Sequence, residues 1–183
     1  MAVPEINATP GGSDSNSYCS LDEANAYHET RLHTSDWDAA TPETRAKALL
    51  WSARLLDSQI AWEGYPTDPE NQALQWPRIG MYDGDPIDSG LYDGVGRLLS
   101  DSEIPQALKD AQAELAMYLI ANDRTADLST EGLGDVTVGP VKVGFNQGNS
   151  PKRRVIPEAV FEMISLWGDR KYGSSGMINL VRA

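Results

Sequence analysis

Thr41-Pro42-Glu43 opens the run that leaves this chain the fewest choices. Thr41 can cap a helix, Pro42 suits the first helical position, and Glu43 complements the positive helix end. Ala46, Leu49, Leu50, Ala53, Leu56 and Ile60 then recur at helical spacing as one apolar stripe. A helix from Pro42 to Ala61 is ~30 Å long, enough to span a small domain. Gly64 and Pro66 stop it, and Trp51, Trp62 and Trp76 supply large apolar surfaces along it and just beyond it. The run predicts a central helix with an aromatic-clasped loop closing at Gln72-Ala73-Leu74-Gln75-Trp76-Pro77-Arg78. Trp62, Trp76, Pro77 and Arg78 are the clasp. Pro77 restricts Trp76 to an extended backbone, so the indole presses on the helix while Arg78 faces outward. Such a clasp either fixes the loop within one subunit or lets Arg78 pair with an acidic neighbour between subunits.

A chain of 183 residues suits one domain with a core that needs no staples. No apolar stretch approaches the ~20 residues of a membrane span, and no signal-peptide core is expected at the N-terminus. The single cysteine, Cys19, cannot form an intrachain disulfide and reads as a buried or idle thiol in a reducing compartment. Against 15 basic side chains stand 27 acidic ones, a net charge of −12. That balance weighs against tight phosphate binding as the main role, since nucleic-acid binders carry a basic footprint. It would suit a channel wall to which DNA must not stick.

Other segments follow from local pattern. Residues 1–17, rich in Pro, Gly, Ser and Asn, read as a flexible N-terminal arm, extended or disordered. Ser20-Leu21-Asp22-Glu23 is a capping box, predicting a helix to about Leu32 with Leu21, Ala24, His28 and Leu32 on one face. Trp37 covers the end of the bundle. Residues 79–103 read as a long irregular region, whose acidic residues miss the spacing of a calcium loop. Ile104-Pro105 opens a helix striped by Leu108, Ala111, Leu115, Tyr118 and Leu119, with small Ala111, Ala113 and Ala116 permitting close approach. Val136-Thr137-Val138 and Val141-Lys142-Val143 alternate as strands, a β-hairpin near 136–145. Ile156-Pro157 begins a last helix stopped at Gly168. The expected fold is mainly α: a small bundle of about four helices in residues 18–167, with a β-hairpin insertion and extended termini.

Little chemistry is encoded. No P-loop, dinucleotide fingerprint, HExxH, CxxC or GxSxG is present, so no enzyme, cofactor or metal is expected. His28 and His33 read as ordinary packing and surface residues. Lys152, Arg153 and Arg154, the only basic triplet, could face DNA or form a solvated patch. Residues 168–183 hold a Gly/Ser joint before Met177-Ile178-Asn179-Leu180-Val181-Arg182, either a docking tail or an end packed on its own domain.

Taken in order, Tyr18-Cys19-Ser20-Leu21-Asp22-Glu23-Ala24, Trp37, Trp62-Glu63-Gly64, the Gln72–Arg78 run and Ile104-Pro105 resemble a tailed-phage family. These are proteins labelled DnaT-like ssDNA-binding that are similar to phage head–tail connectors, or adaptors; the resemblance covers roughly residues 18–120. It implies a virion protein of the head–tail junction, made in the host cytoplasm and assembled as a homo-oligomeric ring of about twelve copies. The ring would sit under the portal protein, bind the next tail protein, and pass double-stranded DNA through its lumen without contact to a membrane. Met177, Ile178, Leu180, Val181 and Arg182 would dock on the portal, and Trp62, Trp76, Pro77 and Arg78 could join subunits. The family label implies the alternative, a single-stranded DNA binder. There, tryptophans and tyrosines stack on bases and Arg78, Arg97 and Lys152–Arg154 hold phosphates.

Overall fold

The structure, a computed structural model, describes residues 3–86, 96–126, 135–138, 141–144 and 154–171. Helix α1 (Leu21–Glu29) starts with the expected capping box: Ser20 Oγ accepts from the Glu23 N–H while the Glu23 carboxylate accepts from the Ser20 N–H. A short helix, α2 (Ser35–Ala39), buries Trp37. Thr41 caps the long α3 (Pro42–Gln59), and α4 (Gln106–Ala121) packs against it. Ala111, Ala113 and Ala116 are buried in that seam. Burial of Leu49, Ala53, Leu56, Leu108 and Leu115 at no exposure supplies ~2 kcal/mol for each large side chain.

Polar side chains lock this seam as well. Gln112, fully buried, accepts from the Tyr18 and Cys19 N–H groups at 2.8 and 3.1 Å. It donates to Ser17 Oγ at 2.7 Å and the Leu49 carbonyl at 2.9 Å. All four hydrogen-bonding positions of the amide are used, so burying it carries no unpaired group. Arg31 grips Glu114 through two contacts of 2.6 Å, tying α1 to α4.

Strands β1 (Ile60–Trp62), β2 (Tyr65–Pro66), β3 (Arg78–Ile79), β4 (Tyr82–Pro86) and β5 (Gly96–Leu98) lie between α3 and α4. Next come β6 (Asp135–Val138), β7 (Val141–Gly144), helix α5 (Glu158–Glu162) and β8 (Gly168–Arg170). They pair as β1–β8, β2–β3, β4–β5 and β6–β7, each a separate antiparallel pair. In β6–β7 the register sets Val138 against Val141 and Val136 against Val143.

The expectation of a mainly α bundle of about four helices is therefore corrected: the described residues form a mixed α/β fold with five helices and four two-stranded sheets. Strands of two to five residues are too short for alternation to register in the sequence. Ile60–Trp62 leaves the helix because β8 offers it a strand partner, with Ile60 opposite Arg170. Helix α1 ends three residues before Leu32, which is 79% exposed and not on its buried face. Residues 79–103 are not wholly irregular, since β4 and β5 pair through Tyr82 and Leu98. Helix α5 is five residues long, and Gly168 enters β8.

Residues 3–17 are irregular, with turns at 10–11 and 13–14, and contact the domain. The Asn16 side chain accepts from the Asn7 N–H and donates to the Glu5 carbonyl, Ala73 N–H reaches the Gly12 carbonyl, and Ser17 is buried. Met177, Ile178, Leu180, Val181 and Arg182 lie outside the described residues, as do Lys152 and Arg153.

Candidate nucleic-acid interface

The residues singled out by the Trp/Gly/Trp-Pro-Arg pattern assemble into one clasp, and it is internal. Arg78 is 5% exposed. Its Nε donates to the Glu63 carbonyl at 2.6 Å, Nη2 to the Gly64 carbonyl at 2.8 Å and Nη1 to the Gln75 carbonyl at 3.0 Å. The side chain expected to face outward thus points in, because the turn after β1 presents carbonyls that no other donor takes among the described residues. Trp76 is buried, edge-on to Trp62 at 5.7 Å and to Trp167 at 5.5 Å between ring centroids. Pro77 is buried too, and the Trp76–Pro77 peptide is cis. Gly64 is required where it stands: at φ +62° its Cβ would lie 2.4 Å from the Ile79 carbonyl oxygen. Trp62, Trp76, Pro77 and Arg78 fold the loop of their own subunit, and Arg78 cannot hold a phosphate.

Arg154, the described member of the basic triplet, is likewise engaged. It contacts Glu158 at 2.5 Å, and Arg170 meets the same carboxylate at 3.0 Å. The Arg170 guanidinium, followed by Arg154, holds the Glu158 carboxyl below its usual range. The Arg154 carbonyl accepts from Arg124 Nη2 at 2.6 Å.

Buried titratable groups serve packing. Burial pushes the Cys19 thiol up to about 12, which keeps it protonated and unreactive. Burial lowers the pKa of His28, whose Nε2 lies 3.1 Å from the Ala113 carbonyl and whose ring sits against Trp37. Asp57 accepts from Tyr18 Oη and, at 3.3 Å, from the Gln75 N–H; burial raises its pKa. Among the described residues no group of three His, Cys, Asp or Glu is placed to hold a metal, and no helix is long and apolar enough to cross a membrane.

Among the described residues, two surfaces put aromatic side chains into solvent. One is the outer face of α3. Trp51 is 42% exposed there, against 1% for Trp37 and Trp76 and 6% for Trp167. Lys47 stands four residues before it and Arg54 three after, both exposed and on the same face. The two cations are ~10 Å apart along the axis with the indole between them. Lys47 pairs with Glu43 at 2.6 Å, while Arg54 has no ion-pair partner among the described residues. By residue type Trp51 joins Trp62 and Trp76 as apolar surface along the helix. The sequence carried the contrary signal: Trp51 follows Leu49 by two positions, about 200° round the helix and so opposite the stripe.

The other surface is the pair of short sheets after Gly64. Tyr65 opposes Ile79 and Tyr82 opposes Leu98, with exposures of 78, 47, 43 and 59% respectively. A groove of 880 Å³ adjoins it, lined among others by Arg97, Leu98, Glu103, Ile104, Lys109 and Trp167. Both of its cations are already paired, Arg97 with Asp83 at 3.0 Å and Lys109 with Glu23 at 2.6 Å.

Comparison with known proteins gives one family. The model of the family described as "Putative DnaT-like ssDNA binding protein" matches residues 5–183, nearly the whole chain. No curated protein and no solved structure matches. The head–tail adaptor expectation is overturned by this match, since the family is described by single-stranded DNA binding and not by joining heads to tails. The portal and next-tail partners and the ring with its DNA-passing lumen fall with it, while Met177, Ile178, Leu180, Val181 and Arg182 lie outside the described residues. The resemblance misled because its most specific residues are fold-forming, and a fold is compatible with more than one function.

Proposed function

Because the chain belongs to the DnaT-like ssDNA binding protein family, we propose that it binds single-stranded DNA, and that the outer face of α3 is where it does so. Binding, not catalysis, is the role assigned. The arrangement of Trp51 between Lys47 and Arg54 carries this reading. A base stacks on the indole, and the phosphates on either side of it meet the two cations. Stacking on an aromatic side chain supplies ~1–3 kcal/mol per base and tolerates any base, because every base has a π-face. Glu43 gives up Lys47 at little cost, since a pair four residues apart on a helix surface is worth ~0.3–0.5 kcal/mol.

Two phosphate contacts set the electrostatic scale. Each contributes about −0.7 to the slope of log K against log salt for a single strand, so the slope per copy is about −1.4. Stacking therefore dominates, which fits an acidic protein whose overall charge repels the strand.

Titration of a labelled oligothymidylate, followed by anisotropy and by quenching of tryptophan fluorescence, tests the site. Trp51→Ala should weaken binding ~5- to 150-fold, the equivalent of 1–3 kcal/mol, and remove most of the quenching. Unchanged affinity in that variant, with its fold intact by circular dichroism, would place the strand elsewhere.

A further inference from the structure

We infer that the strand pairs β2–β3 and β4–β5 form a docking surface for an extended protein segment that is both basic and apolar. Tyr65, Ile79, Tyr82 and Leu98 are all substantially exposed, and they occupy directly opposed positions on the two pairs. One chain path joins them: Ile79 leads through Gly80 and Met81 to Tyr82, and the Leu99 N–H donates to the Met81 carbonyl at 2.8 Å. Among the described residues each sheet has two strands and no strand lies along its outer edges, the kind of edge that receives an extended segment. The support beneath is rigid, because Arg78 fixes the Glu63, Gly64 and Gln75 carbonyls from the inside.

Charge decides the occupant. Glu63, Asp68, Asp101 and Glu103 are exposed around these strands, and Asp83 sits beside Tyr82. Thr67 Oγ1 donates to the Asp101 carbonyl at 2.7 Å, which brings that acidic loop against the end of β2. Among the described residues here, Arg97 is the exposed cation and Asp83 neutralises it. A nucleic-acid strand meets the wrong sign on this surface. A second copy of the same face would bring two acidic rims together. A segment alternating apolar and basic residues satisfies both features, its apolar side on Tyr65 and Ile79 and its cations on the rim.

Three labelled eight-residue peptides test this by anisotropy: alternating Val–Lys, alternating Val–Glu and alternating Gly–Lys. The Val–Lys peptide should bind the full chain at least tenfold more tightly than either of the others. Ile79→Ser and Tyr65→Ser should each weaken it about tenfold, while Leu32→Ser and Leu166→Ser, at exposed apolar sites off these strands, leave it unchanged. Equal binding of the Gly–Lys peptide, or no effect of the strand variants, would reduce the interaction to bulk charge and overturn the inference. So would loss of oligothymidylate binding in Ile79→Ser, which would assign the surface to DNA. Concentration-dependent dimers abolished by Ile79→Ser in sedimentation would assign it to a second copy.

Discussion

The outer face of α3 and the β2–β5 strands offer solvent the same kind of side chain and opposite charge. On α3, Trp51 stands between Lys47 and Arg54; on the strands, Tyr65 and Tyr82 stand among Glu63, Asp68, Asp83, Asp101 and Glu103. Aromatic exposure alone does not choose between a base and a peptide as its partner, because both bury apolar surface on a ring. The surrounding charges choose, since like charges placed together cost several kcal/mol whereas opposite charges steer encounter. A net charge of −12 conceals this sorting. The sum describes the protein's solubility, while the two faces describe what it can bind.

The two surfaces also stand on different foundations, and separating them gives the largest expected effect. The face of α3 is carried by the helix seam with Gln112 at its centre; the strands are carried by Arg78. Arg78→Met leaves the part-buried Glu63, Gly64 and Gln75 carbonyls without the Arg78 donors. It should cost ~3–5 kcal/mol, at ~1–3 kcal/mol for each unsatisfied group less the gain from an apolar replacement. The chain should then lose ~6–20 °C in melting temperature, at ~2–4 °C per kcal/mol for this size. Below the new melting temperature, binding of the Val–Lys peptide should fail while oligothymidylate binding persists. Equal loss of both in a folded variant would mean that the two surfaces are not independent.

Reversing charge attacks the comparison directly, with a smaller effect. Arg54→Glu removes one phosphate contact and adds a repulsive charge beside Trp51. Oligothymidylate affinity should fall about tenfold at low salt, ~1.4 kcal/mol, and the salt slope should flatten by about 0.7. Conversely, replacing Glu63, Asp68 and Glu103 by Lys should give the strands an affinity for oligothymidylate that survives Trp51→Ala. If that variant still ignores the oligonucleotide, aromatic geometry and not charge divides the two surfaces.

How much of this the sequence disclosed depended on the length over which a pattern ran. The caps at Ser20 and Thr41 and the stripe of Leu49, Ala53 and Leu56 were legible, because each rests on spacing within one helix. The strand pairs were not: two residues of β2 against two of β3 carry no periodicity, and their pairing depends on Arg78 folding inward. The outward reading of Arg78 fails because nothing local says that its guanidinium will be satisfied chiefly by the Glu63 and Gly64 carbonyls, 15 and 14 residues away. Trp51 reads by residue type as one more apolar surface along the helix, while its phase on the helix places it outside. The partner class was hidden in a formal charge that averages over both faces.

The smallest expected effect concerns a cation in the groove beside the strands. Lys109 lines the groove beside Leu98, but its ammonium is held by Glu23 at 2.6 Å, and Glu23 also completes the α1 capping box. Partial burial raises the Glu23 pKa, yet the Lys109 contact and the Ser20 N–H outweigh it, so the folded pKa lies below the ordinary value. A depressed folded pKa makes the ionised form the stabilising one. The contribution is present above the unfolded pKa of ~4.3 and is lost as pH falls through the folded value. Glu23→Gln keeps an acceptor for the Ser20 N–H but lets Lys109 go. It should cost ~0.5–1 kcal/mol by urea denaturation at pH 7, and the difference from the parent should vanish in acid below the folded pKa. The freed ammonium should also weaken the Val–Lys peptide slightly, by no more than about twofold. A loss of stability that persists unchanged in acid would show the capping geometry, and not the charge on Glu23, to be what the substitution removed.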